Sequence, residues 1–282
     1  MCICVYTYLY VYVRMCRKGL FMSNRETKIT VICNQKGGVG KSTTAAALGA
    51  YLYRLGLRVL LVDFDPQANL TLSTVGAEEL SGNAATLYDA LQGEAKAEDL
   101  IIAGENGPDI IPADSGLSLA DMNLSETGRE FRLKKVLEKV SRSYDHIIVD
   151  APPTLGILTI NALTAADMVV VPIQADIYSL QGLSQLYKTF TAVKEYTNPG
   201  LSLQGIFFTR YNARTRLGRE LEETFTKAAE QYETKLFNTR IRECIALREA
   251  ALQRQDIYSY APRSNAAEDY TSLGAEIYSK PR

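Results

Sequence analysis

The sequence is poor in the residues that build metal centres and disulfide frameworks. It has one histidine, His146, and five cysteines. Cys2, Cys4 and Cys16 crowd the first residues, while Cys33 and Cys244 stand far apart, and no C-x-x-C pair occurs. A Cys/His metal site is therefore not the organising feature, and the chain reads as cytosolic and reduced. Net charge is also nearly absent, at a formal −1. The protein as a whole is no polyanion binder, so any nucleic-acid contact has to be a local patch. The charge is unevenly spread, however. From Asp63 to Glu130 fourteen acidic residues face only Lys96 and Arg129, whereas Gly205 to Arg263 holds eleven basic residues against eight acidic ones. The plain reading of both stretches is solvated surface. No linker composition and no internal repeat divides the 282 residues, and 46% hydrophobic content supports a full core.

A membrane-spanning run is lacking too. The longest apolar stretch, Cys2 to Val13, falls short of the roughly 20 residues a spanning helix needs. A signal peptide would place basic residues first; here Arg14, Arg17 and Lys18 follow the apolar run. Residues 1–22 are expected to form an extension outside the fold, a mis-called start with Met22 beginning the functional protein. A membrane-contact segment is the lesser alternative.

What the sequence does have is a glycine-rich loop in the right setting. Ile29 to Cys33 reads as a buried parallel strand, Thr44 to Leu52 as a helix, and Lys36-Gly37-Gly38-Val39-Gly40-Lys41-Ser42-Thr43 lies between them. Strand, loop and helix in that order form the context of a phosphate-binding loop. The strict pattern wants a glycine at position 35; this chain has Gln35 and adds Lys36 five residues before Lys41. Glycines let successive N–H groups converge on a phosphate, and the helix N-terminus adds partial positive charge. Lys41 is placed to neutralise β/γ oxygens and the Ser42 hydroxyl to bind Mg²⁺.

Two acidic elements follow. Leu57 to Val62 reads as a strand ending in Asp63-Phe64-Asp65-Pro66-Gln67, and Ile147-Ile148-Val149 as a strand ending in Asp150-Ala151-Pro152-Pro153. Carboxylates at the carboxyl ends of strands lie where α/β sheets bind ligands. Asp65 is assigned to position the attacking water, Asp63 a supporting role, and Asp150 the hydration shell of Mg²⁺. Pro152-Pro153 stiffens a candidate switch segment, and His146 reads as surface or core packing. Further strands are expected at 109–113, 168–173 and 203–209, and helices at 130–142, 179–196, about 217–232 and up to Tyr278. This alternation predicts one α/β domain over residues 28–279, a doubly wound, mostly parallel twisted sheet with helices on both faces, the P-loop NTPase fold.

These motifs resemble the ParA/MinD group of P-loop ATPases with a deviant Walker A loop. Asp65-Pro66-Gln67, Asn212-Ala213-Arg214-Thr215 and the Pro262-Arg263-Ser264…Ala267-Glu268-Asp269-Tyr270 ending are closer to ParA/Soj-type partition ATPases. The resemblance covers about Lys28 to Tyr278. It implies that Lys36 crosses a face-to-face homodimer to the partner's nucleotide. It also implies that Gly37, Gly38, Val39, Gly40, Lys41, Ser42, Thr43 and Thr44 cradle ATP, that Ser42 and, through water, Asp150 hold Mg²⁺, and that Lys36, Lys41 and Asp65 serve hydrolysis. Arg214 matches a residue used for non-specific DNA binding. Where relatives often read Pro-Arg-Asn-Val-Arg-Leu-Ser-Glu-Ala-Pro, this chain has Arg242 to Ala251. The second DNA-binding arginine falls on Ala246, with Arg248 one helical step away as the candidate substitute. The Pro and Asn near adenine become Arg242 and Cys244.

The function implied is an ATP-dependent dimeric switch that partitions a plasmid, chromosome or mobile element. It would bind DNA non-specifically in the ATP state, associate with the nucleoid in the cytoplasm, and hydrolyse ATP when stimulated by a ParB-like centromere-binding protein. The alternative is a MinD-like membrane-associated positioning ATPase, which requires a C-terminal amphipathic anchor. The ending Ala275 to Arg282 is short and closes in Pro-Arg, so no stable membrane anchor is expected.

Overall fold

A computed structural model describes residues 26–77, 85–124, 126–211 and 216–278 of the chain. The N-terminal extension and Arg214 therefore lie outside the described residues. In chain order the elements are β1 (Lys28–Ile32), α1 (Lys41–Arg54), β2 (Val59–Asp63), α2 (Asn69–Thr74), α3 (Leu87–Gln92), β3 (Asp109–Ile111) and α4 (Ala120–Asn123). They continue with α5 (Arg132–Val140), β4 (His146–Asp150), α6 (Ile157–Ala165), β5 (Met168–Gln174), α7 (Ile177–Tyr196), β6 (Ser202–Thr209) and α8 (Arg216–Gln231). The last are α9 (Ala246–Leu252), α10 (Ile257–Tyr260) and α11 (Asn265–Tyr278). Short 3₁₀ turns flank α5 and precede α4.

The strands form one six-stranded sheet in the order β3-β2-β4-β1-β5-β6, with every pairing parallel. Parallel strands need both faces covered, which is why they read as unbroken apolar runs. All five residues of β2 are buried. The two-residue period then sorts them. Leu60 and Val62 join the core under α3, α5, α6 and α7, while Val59 and Leu61 join the core under α1 and α11.

Close packing on the second face depends on glycine at two positions. A Cβ on Gly274 would stand 2.5 Å from the Tyr51 ring, where α11 crosses α1. A Cβ on Gly205 in β6 would stand 2.5 Å from Phe237 Cε2 and 2.8 Å from its Cζ. Phe237 is fully buried, and its backbone N–H bonds the Ile206 carbonyl at 2.8 Å, so the ring has little room to retreat.

Strand register brings the carboxyl ends to one edge. Asp63 pairs with Asp150, Ile32 pairs with Asp150, and Gln174 pairs with Thr209. The glycine loop and both acidic motifs thus meet at the crevice where the chain leaves the sheet in opposite directions.

Overpacking at Gly205 gives the first expected outcome. Gly205→Ala should cost about 1–3 kcal/mol. Urea unfolding followed by circular dichroism checks it, through a lower midpoint at unchanged slope.

Candidate active site

The loop between β1 and α1 owes its shape to two glycines. Gly38 and Gly40 take left-handed φ values of 71° and 88°. Gly40 caps α1 without a side-chain hydrogen bond, and no acidic residue occupies the first turn. The Thr44 N–H is satisfied by the Gly40 carbonyl at 2.9 Å, so the N–H groups just before it are left for an anion. Lys41 is buried and folds back over the loop, with its Nζ 3.3 Å from the Lys36 carbonyl. Burial lowers its pKa, and the nearby Asp150 carboxylate opposes that most strongly.

A cleft of about 490 Å³ opens at this point, lined by Gly37, Gly38, Gly40, Lys41, Ser42, Thr43 and Asp65 among others. Not every predicted loop residue faces it. Val39 is buried, and its carbonyl accepts from the Thr209 hydroxyl at 2.9 Å. Thr44 is turned inward, with its hydroxyl paired to the Tyr270 hydroxyl at 3.1 Å. That hydroxyl ties α1 to α11.

The three carboxylates occupy different environments. Asp63 is fully buried and fully bonded: Oδ2 accepts from the Thr71 N–H and hydroxyl, both at 2.7 Å, and Oδ1 from the Asp65 N–H at 3.2 Å. Burial pushes its pKa up to about 6 against those hydrogen bonds. Asp65 lies two residues on, in the turn that its own Oδ1 steadies by accepting from the Gln67 N–H at 3.0 Å. Asp150 is fully buried, and neither carboxylate oxygen has a hydrogen-bond partner of normal geometry. Burial first, then the charge of Asp63, raises its pKa well above the usual range, with the neighbouring Ser42 hydroxyl and Lys41 ammonium opposing.

An orphaned carboxylate beside a serine hydroxyl and a phosphate loop fits a divalent cation. Among the described residues no three His, Cys, Asp or Glu side chains form a metal cage. Mg²⁺ asks for less, commonly one or two protein oxygens with phosphate and water completing its shell.

Lys36 does not lie free. Its ammonium is bonded to the Asp176 carboxylate and to Gln174 Oε1 at 3.0 Å. Gln174 closes β5, and Asp176 caps α7. Burial would raise Asp176, but the hydrogen bonds from Lys36 and Ser179 outweigh it and hold its pKa below the usual range. Sequence reasoning missed this pair and also Arg210. Arg210 follows β6, lines the cleft and holds a left-handed φ of 49°. Its position after Thr209, whose hydroxyl touches the loop, comes from strand order and has no local signal.

Three arginines of the C-terminal third, Arg240, Arg242 and Arg248, lie in ion pairs. Arg242 grips Asp269 through Nε at 3.0 Å and Glu268 through Nη2 at 2.8 Å, so its guanidinium braces α11. Arg240 pairs with Glu222. Arg248 lies exposed on α9, with Glu243 3.5 Å away.

The buried Asp63 predicts a pH dependence of the nucleotide-free protein. Its pKa rises on folding, so its contribution to stability is full below about pH 4 and is lost as pH rises through about 6. Urea midpoints from pH 4 to 7.5 should therefore fall with rising pH more steeply in the wild type than in Asp63→Asn.

Comparison with known proteins places this geometry in a family. The family model described as an AAA domain matches residues 27–203. The chain is 45% identical over 252 residues to the sporulation initiation inhibitor protein Soj of Bacillus subtilis, covering 89% of this chain and 98% of that one. It is 36% identical over 266 residues to the chromosome partitioning protein ParA of Caulobacter vibrioides, covering 93% and 97%. Among solved structures, a cobyrinic acid a,c-diamide synthase of Mycobacterium smegmatis with bound ATP analogue and magnesium matches at a TM-score of 0.76 and 33% identity, over 88% of this chain and 93% of that one. The matches span most of both chains in each case, and the chain belongs to the ParA/Soj-type ATPases of this AAA domain family.

Proposed function

We propose that the protein is a Mg²⁺-dependent ATPase that acts as a dimeric switch in DNA partitioning. The observation that carries this reading is a cleft lined by the glycine loop, Lys41, Ser42 and the turn-borne Asp65, with the fully buried Asp150 next to Ser42 and Lys41. The named roles of the Soj and ParA relatives support partition over other uses of the fold.

The loop N–H groups and Lys41 take up the charge of the β- and γ-phosphates. Ser42 and Asp150 hold Mg²⁺, with Asp150 acting through water. Mg²⁺ held there would supply neutralisation of the phosphate charge. Asp65 accepts a hydrogen bond from the attacking water and orients it in line with the γ-phosphorus, the proton leaving toward its carboxylate. Asp63 takes no part in the chemistry; its bonds to Thr71 and Asp65 set the turn on which Asp65 stands. Lys36 of each subunit reaches the partner's nucleotide, so the ATP state is a homodimer and hydrolysis ends it.

The dimer binds DNA phosphates without sequence preference through Arg214 and Arg248, and a ParB-like protein stimulates turnover. Among the described residues Arg240, Arg242 and Arg248 each have an acidic neighbour, which makes the patch a weak one on its own and favours binding by two subunits together. No helix among the described residues is long and apolar enough to cross a membrane.

Hydrolysis and binding separate in the test. Asp65→Ala should retain ATP binding and lose about 10²- to 10⁴-fold in turnover. Trapped with ATP, it should sediment as a dimer and retard random-sequence duplex at low salt. The logarithm of affinity should fall linearly with that of salt concentration, and Arg248→Ala should make that slope shallower by about 1 for each phosphate it no longer neutralises. A variant that neither dimerises nor retards duplex overturns the reading.

A further inference from the structure

The ammonium of Lys36 already has an anion seat within its own subunit, and that seat is built from outside the loop. Asp176 divides its carboxylate. Oδ1 accepts from the Ser179 N–H at 3.0 Å and its hydroxyl at 3.1 Å, capping the twenty-residue α7, while Oδ2 takes Lys36. Gln174 gives Oε1 to Lys36 and donates Nε2 to the Gly38 carbonyl at 3.3 Å. Meanwhile the backbone of Lys36 is anchored separately. Its N–H bonds Asn34 Oδ1 at 3.0 Å, and the Asn34 amide bonds the Pro172 carbonyl at 2.6 Å. Only the side chain has to move for the ammonium to leave. Both side chains of the ion pair are about one-third exposed, so solvent reaches the pair and the exchange needs no opening of the core.

We propose that Asp176, assisted by Gln174, is a positioning residue for Lys36: it holds the ammonium in cis in the single subunit, and pairing of ATP-bound subunits exchanges that carboxylate for the phosphates of the partner's nucleotide. This rests on the reading above that Lys36 acts across a dimer. The physical consequence is a threshold. Leaving one carboxylate is favourable when the acceptor is a polyphosphate of higher charge, and less so as that charge falls after hydrolysis. Asp176 therefore sets how much nucleotide charge is needed before two subunits join.

Asp176→Asn separates the two duties of this residue, because asparagine caps a helix as well as aspartate does but carries no charge. Two readouts are taken on the full chain. The first is the rate at which Lys36 is acetylated by a limiting amine reagent without nucleotide, read by mass spectrometry against Lys227 as internal reference. It should rise several-fold in Asp176→Asn and less in Gln174→Ala. The second is the protein concentration at half-dimerisation with ATP by sedimentation, in an Asp65→Ala background. It should fall about three- to tenfold, the size of a hydrogen bond to a charged group in a half-exposed setting. Unchanged acetylation overturns the seat itself. Faster acetylation with unchanged dimerisation overturns the exchange. An Asp65→Ala parent that never dimerises with ATP overturns the trans reading of Lys36 and the exchange with it, while acetylation still judges the cis seat alone.

Discussion

The site depends on a carboxylate buried beside one hydroxyl and one ammonium. An ionised group buried without well-formed hydrogen bonds is unstable in a protein interior, and Asp150 is fully buried with no hydrogen-bond partner of normal geometry. Among the described residues the cation that acts on it is Lys41, itself buried at the start of α1. Neither group is comfortable alone, and register leaves them no alternative. Asp150 is fixed between Ile32 and Asp63 by parallel pairing on both sides, and Lys41 is fixed by the helix that the loop launches. The surrounding apolar sheet is what makes the position so dry. A bound cation and polyphosphate would relieve both groups together, so the burial that destabilises each group alone would strengthen their contacts with such a ligand.

The remaining site is arranged around that pair by short tethers. Thr71 ties β2 to the segment after β3 through one side chain: its N–H and hydroxyl serve Asp63, and its oxygen accepts from the Ala113 N–H at 3.0 Å just beyond β3. Thr209 performs the matching task from the far side, bridging β6 to the loop and to the Ile173 carbonyl at 3.1 Å. The cleft is thus held from β2 and β3 on one flank and from β5 and β6 on the other.

Much of this was legible in the sequence, for a physical reason. Buried parallel strands are apolar throughout, so β1, β2, β4, β5 and β6 announce themselves, and the loop and both acidic motifs sit at their ends. The misses share a different cause. α2 is six residues long, and nothing in Asn69–Thr74 distinguishes it from the irregular stretch around it until Asp63 is seen to bond its first turn. Gln174 and Asp176 lie about 140 positions from Lys36 and meet it only because β5 lies next to β1. Thr44 begins the helix read from the sequence, but its hydroxyl's partner, Tyr270, lies 226 positions away. Arg242 likewise meets its partner at a distance in sequence, since Asp269, one turn into α11, claims its guanidinium.

The bond between Thr44 and Tyr270 also constrains how the protein is made. α1 is among the first of the described elements to leave the ribosome, and α11 is the last of them. They meet across 226 positions, with Gly274 admitting Tyr51 and the buried Tyr270 reaching the phosphate-loop helix. Until α11 has been synthesised, the apolar face of α1 has no cover from it, and the loop is launched from a helix with one side open. Nascent chains, and chains cut short before α11, would thus lack this bracing of the helix that launches the loop.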